Sequence, residues 1–265
     1  MALIQANFFS NSLMRTVPIN VILPNDAPTF ITTQNPHYER PTKTLFLLHG
    51  FSGSIFDWLT GSNIQDIALR YNLAVVMPSG ENSFYLNGRG DGTAYETYTG
   101  SELVDYVRKT FGLSDKSEDT FIGGLSMGGF GAIHTGLKFP ENFGKIFGLS
   151  SALIIHKIKD MQPDTSDEVA DYDYYERAFG TLSELEASEK NPETLILHRQ
   201  EKGETIQPIF IACGSEDFLR KENHIFRDFL TAHHVDFVYK ETPGVHDWKF
   251  WNEYLEPAIQ WMLGC

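Results

Sequence analysis

Residues Gly124-Leu125-Ser126-Met127-Gly128 set a serine between two glycines in the pattern G-x-S-x-G. A serine hydroxyl is a poor nucleophile until a base takes its proton. The pattern is that of a nucleophile elbow, a tight strand-to-helix turn that lifts the hydroxyl clear of the backbone. Its surroundings fit. Phe121-Ile122 reads as a strand just upstream, and Gly128-Gly129-Phe130-Gly131-Ala132 opens a helix just downstream. Such a turn forces the serine into strained dihedrals, and small flanking residues let helix and strand approach closely.

The base must come late, because elbows of this kind follow the chain order Ser, then Asp or Glu, then His. Of nine histidines, His246 stands where it is needed, in Thr242-Pro243-Gly244-Val245-His246-Asp247-Trp248, after the last strand. His233 and His234 end the preceding helix, His224 reads as helical and exposed, and His49, His134, His156 and His198 all precede the acid. The acid should follow the penultimate strand, in Ile211-Ala212-Cys213-Gly214-Ser215-Glu216-Asp217-Phe218. Asp217 and Glu216 are both candidates. Asp217 is preferred because the turn Gly214-Ser215-Glu216 must come first for the chain to reach back; its alternative role is to cap the next helix. A buried carboxylate there would accept the imidazole Nδ1–H, fix the tautomer and stabilise the imidazolium.

An oxyanion hole needs two backbone N–H groups. Met127, directly after the serine, supplies one. Phe51, in His49-Gly50-Phe51-Ser52-Gly53-Ser54, is assigned the other, since the glycines let the backbone turn inward. No CxxC, HExxH or Cys/His cluster suggests a metal, and this chemistry calls for no cofactor. Cys213 reads as strand packing and Arg89-Gly90-Asp91 as a bland turn; Trp248 and Trp251, flanking the final helix, read as core packing, with walling the site as their alternative role.

These residues need a scaffold, and the apolar runs describe one. Runs at 44–48, 73–77, 120–123, 145–149 and 208–213 read as strands, followed by 235–241; 3–9 and 16–23 read as an opening antiparallel pair. Helices are expected at 62–71, 99–111, 127–139, 222–232 and 248–262. Strands alternating with helices imply βαβ units and a mostly parallel sheet with helices on both faces. Two segments break the rhythm. Residues 78–98 form a long polar loop after a strand, a position that lines sites in open sheets. Residues 156–204 carry thirteen acids and six bases, half the net charge of −14, and read as a lid-like insertion with short helices around Tyr172, Tyr174, Tyr175 and Phe179.

The chain has 265 residues, 42% hydrophobic and 13% aromatic, which excludes a disordered polymer and suits one domain spanning 1–265. Its acidity argues against nucleic-acid and anionic-membrane partners. The first residues lack the basic and apolar regions of a signal peptide, and a cytoplasmic location is the expectation.

Taken together, LLHGFSGSIFDW at 47–58, FIGGLSMGGFGA at 121–132, CGSEDFL at 213–219 and GVHDWKFW at 244–251 resemble the esterase D-like branch of the α/β-hydrolases. The likeness is greatest to bacterial tributyrin and acetyl esterases, and it covers nearly the whole chain. It implies the α/β-hydrolase fold, a Ser126–Asp217–His246 triad and oxyanion donors at Phe51 and Met127. The expected activity is that of a serine carboxylesterase on a small-molecule ester, acetyl to butyryl, with acetylated sugars as natural candidates. Feruloyl esterase, S-formylglutathione hydrolase and acyltransferase are the alternatives within the family, and a non-catalytic binding protein is the alternative outside it. Oligomeric state is left open. Short acyl groups are expected because neither 78–98 nor 156–204 offers an obvious apolar channel, and Tyr85, Tyr95 and Tyr98 are expected to contact a sugar.

Overall fold

Strand runs without a polar residue must be covered on two sides. The computed structural model describes residues 1–265 and covers them so. Eight strands are present: β1 Ala2–Ser10, β2 Arg15–Leu23, β3 Lys43–Leu48, β4 Leu73–Pro78, β5 Thr120–Leu125, β6 Lys145–Leu149, β7 Ile209–Gly214 and β8 Phe237–Thr242. They form one sheet in the order β1-β2-β4-β3-β5-β6-β7-β8. The β1/β2 and β2/β4 pairs are antiparallel and the rest parallel. The chain is thus a mostly parallel α/β-hydrolase sheet. Each expected strand is present, with β8 beginning two residues later than the sequence suggested.

The principal helices are α1 Ile64–Arg70, α2 Leu103–Phe111, α3 Met127–Lys138, α4 Tyr172–Phe179, α5 Pro192–Glu201, α6 Arg220–Ala232 and α7 Trp248–Leu263. Alternation along the strands divides the core. Phe46 and Leu48 face one side with Val104, Val107, Phe130, Ile133, Phe226 and Leu230 of α2, α3 and α6. Leu45 and Leu47 face the other with Ile64, Ile67, Leu255 and Ile259 of α1 and α7. The helix expected at 99–111 is regular only from Leu103; a π-turn, Tyr98–Glu102, precedes it. There Gly100 lies so close to Phe139 that a Cβ would stand 2.2 Å from its ring.

The insertion is built from α4, a 3₁₀ turn at Leu182–Ala187, and α5. It joins the larger core through Tyr175, Phe179, Leu182, Leu185, Leu195 and Ile196. It also covers His134 on α3, which is wholly buried and donates from Nε2 to the Glu189 carbonyl at 3.0 Å. Its Nδ1 has no hydrogen-bond partner, and Glu96 Oε2 stands 3.7 Å away. Burial pushes this imidazole down to about 4, against the raising effect of the Glu189 carbonyl. The unfolded chain takes up that proton near 6.5, so the stabilising effect is present above 6.5 and is lost as pH falls towards 4. Thermal melts between pH 7 and 4.5 should show a falling Tm whose slope flattens in His134→Leu; an equally steep slope in the variant would assign the loss to other groups.

Candidate active site

The serine sits where β5 ends and α3 begins. Ser126 has φ 54° and ψ −120°, a conformation that costs a non-glycine residue about 1–3 kcal/mol. The surroundings enforce it. Ser126 N–H donates to the Leu149 carbonyl at 2.9 Å, and its own carbonyl accepts from Phe130 and Ala152 N–H at 3.1 and 2.9 Å. Both flanking glycines are compelled by backbone oxygens. A Cβ on Gly124 would lie 2.4 Å from Gly128 O, and one on Gly128 would lie 2.3 Å from Leu48 O.

The three side chains expected to act together form one hydrogen-bonded series. Ser126 Oγ lies 3.0 Å from His246 Nε2, and His246 Nδ1 lies 2.9 and 3.1 Å from the two Asp217 oxygens. Because a carboxylate only accepts, Nδ1 carries the hydrogen and Nε2 is free to accept from the serine. The Asp217 side chain is fully buried. Burial works to raise its pKa, but the His246 hydrogen bond and charge, the Leu219 N–H and the Ser150 hydroxyl together hold it below the ordinary value. Glu216 is placed elsewhere. Its Oε2 accepts from Gly244 N–H at 2.7 Å, which ties down the loop that carries His246. Asp217 does not cap α6, whose N-cap position is Leu219.

Phe51 and Met127 follow β3 and β5, adjacent strands of the sheet. Neither N–H has a hydrogen-bond acceptor in the protein. The Phe51 loop is braced from outside. Ser52 N–H donates to Asn82 Oδ1 at 2.7 Å, and Tyr174 OH donates to the Asn82 carbonyl at 2.5 Å. The Tyr174 ring meets Phe51 edge-on at 5.6 Å between centroids. Loop 78–98 and the insertion therefore hold one of the expected oxyanion donors in place.

Some positioning residues went unread in the sequence. Asp247 caps α7, accepting from Phe250 N–H at 2.9 Å, and so fixes His246 immediately before the helix. An aspartate preceding an apolar helical run was the available signal. Trp251 stands edge-on to His246 at 5.1 Å and donates to Ser150 Oγ at 3.1 Å, so it belongs to the site as well as the core. Phe218 also lies against the imidazole, with 4.5 Å between ring centroids.

A cavity of about 190 Å³ opens on Ser126 and His246. Phe51, Phe84, Ala152, Ile154, Val169, Phe218 and Leu219 make most of its wall. This corrects the expectation that neither loop offers an apolar channel: Phe84 of the polar loop and Val169 of the acidic insertion both line the cavity. Lys157, Asp167 and Tyr175 complete the wall, so the insertion does border the site. The sugar contacts expected of Tyr85, Tyr95 and Tyr98 are corrected too. These side chains are 0%, 5% and 0% exposed, and none of them lines the cavity beside Ser126.

The sheet, the elbow at the end of β5, an acid after β7 and a histidine after β8 define an α/β-hydrolase. Residues 10–262 match the model of the family described as "Putative esterase". An acetyl esterase of Caldicellulosiruptor saccharolyticus is 45% identical over 263 residues, covering 99% of this chain and 98% of that protein. The substrate-bound fluorophosphonate-binding serine hydrolase F of Staphylococcus aureus superposes with a TM-score of 0.84 at 31% identity, covering 99% and 98% of the two chains. An S-formylglutathione hydrolase of the same organism gives 0.82 at 31% identity with the same coverage. The chain belongs to this esterase family and is a carboxylic ester hydrolase. None of its helices is long and apolar enough to cross a membrane.

Proposed function

We propose that the enzyme is a serine carboxylesterase for short acyl groups, acetyl to butyryl. His246 Nε2 accepts the Ser126 proton as Oγ attacks the ester carbonyl. Phe51 and Met127 N–H receive the oxyanion, and Asp217 steadies the imidazolium. The alcohol departs with the proton from His246. Water, deprotonated by the same imidazole, then attacks the acyl-enzyme and frees Ser126. The carrying observation is the unbroken series Asp217–His246–Ser126 at the mouth of a small, mostly apolar cavity. The acetyl esterase described for the 45% identical relative points to the same acyl class.

The cavity's size supports the short-acyl reading. Each CH₂ that leaves water is worth about 0.8 kcal/mol, but only while apolar space remains to receive it. The test is kcat/KM across p-nitrophenyl acetate, butyrate, octanoate and palmitate, with acetylated xylo-oligosaccharides alongside. The optimum is expected at acetate or butyrate, with octanoate about tenfold poorer or worse. An optimum at octanoate or palmitate refutes the reading.

A further inference from the structure

Apart from Ser126 and His246 themselves, the wall of the cavity carries charge at one place. Lys157 and Asp167, both from the insertion, put an ion pair into its wall, with Lys157 Nζ 3.0 Å from Asp167 Oδ2. The pair is firmly built. Asp167 Oδ1 also accepts from Val169 and Ala170 N–H at 2.9 and 3.0 Å, and from Tyr175 OH at 3.1 Å. Asp167 N–H donates in turn to the Ala170 carbonyl at 3.0 Å, and Tyr172 N–H to the Thr165 carbonyl at 2.9 Å. Segment 165–172 is thus a small closed loop gathered around one carboxylate. It holds Val169 against the cavity and places Lys157 and Asp167 beside it. Lys157 stands on a short helix, Ile155–Ile158, whose Ile155 and Ile158 are buried.

We propose that the Lys157–Asp167 pair is the specificity determinant for acyl length, a polar terminus at which the apolar part of the acyl pocket ends. A short acyl group stays among Phe51, Phe84, Ile154 and Leu219. A longer one must lay methylenes against two charges, which strips water from the pair and returns no apolar contact. The two charges also resist neutralisation. Burial works to raise the Asp167 pKa, but the Ala170 and Val169 N–H groups and Lys157 hold it low. Burial works to lower Lys157, but Asp167, Glu168 and Glu222 hold it high. The pair therefore persists across the pH range in which an esterase is assayed. This proposal rests on Ser126 being the acylated residue of a short-chain esterase.

Lys157→Met keeps the length of the side chain and removes its charge, while Asp167 retains its Val169, Ala170 and Tyr175 donors. The ratio of kcat/KM for p-nitrophenyl octanoate over butyrate should rise at least tenfold, mainly through a lower KM for octanoate. Asp167→Asn keeps the oxygen that gathers the loop and should shift the ratio in the same direction by less. A parallel series of acetates with lengthening alkyl alcohols should show no comparable shift. An unchanged octanoate-to-butyrate ratio in folded, active Lys157→Met overturns the proposal, and so does a shift confined to the alcohol series. A wild-type optimum at octanoate would instead refute the short-chain reading on which it rests.

Discussion

Folded Ser126→Ala should lose at least about 10⁴-fold in kcat on p-nitrophenyl acetate, and His246→Ala a similar amount, because members of such a set act as a unit. The Ser126 side chain has one hydrogen-bond partner in the protein, His246 Nε2. Alanine at 126 therefore removes no contact that holds the elbow, and the backbone bonds to Leu149, Phe130 and Ala152 persist. The loss should appear in kcat with Tm almost unchanged. Ser126→Ala/His246→Ala should be no worse than either single variant by more than a small factor, since a base without its nucleophile has nothing to activate. A fluorophosphonate probe should label wild type on Ser126 and fail on Ser126→Ala. Retention of more than a tenth of wild-type activity by folded Ser126→Ala would remove this serine from the chemistry.

The readable parts of this molecule are those where one local physical requirement dictates residue type. G-x-S-x-G is readable because the backbone oxygens of Gly128 and Leu48 stand where side chains at 124 and 128 would go. The strands at 45–48 and 73–77 are readable because burial on both faces selects apolar residues at every position. His246 is readable from chain order, since after the last strand only one histidine remains. The cavity wall is a different matter. Loop 78–98 looks polar, yet Phe84 and Tyr85 take φ values of 53° and 56°, which folds both rings into the core. Positive φ at an aromatic residue is imposed by tertiary packing, and nothing in Asn82-Ser83-Phe84-Tyr85 announces it. The insertion hides its role similarly. Its net charge of −7 says solvent, while Tyr175 and Val169 line the cavity, and the carboxylate of Asp167 holds its own loop and Lys157. Average composition cannot show which few residues turn inward.

Asp217→Asn should lower kcat by about 10³–10⁴, and Glu216→Gln by far less. The two carboxylates are adjacent in sequence, and the structure separates their work. Asp217 is buried and faces Nδ1 of His246, whereas Glu216 is exposed and holds Gly244 N–H. An amide at 217 can offer N–H to Nδ1, which drives the ring to the tautomer with hydrogen on Nε2. In that state the nitrogen facing Ser126 donates where it should accept. Asparagine also removes the negative charge beside the imidazolium that forms during attack. Leu219 N–H and the Ser150 hydroxyl, which now help keep Asp217 ionised, can still hydrogen-bond the amide oxygen, so the fold should survive. In Glu216→Gln the new amide retains an oxygen for Gly244 N–H, and the loop carrying His246 should keep its place. The measurement is kcat on p-nitrophenyl acetate with Tm as the control for folding. If Glu216→Gln is the slower enzyme of the two, the acid of this site has been misassigned, and His246 is oriented by Gly244 and its loop more than by the carboxylate it faces.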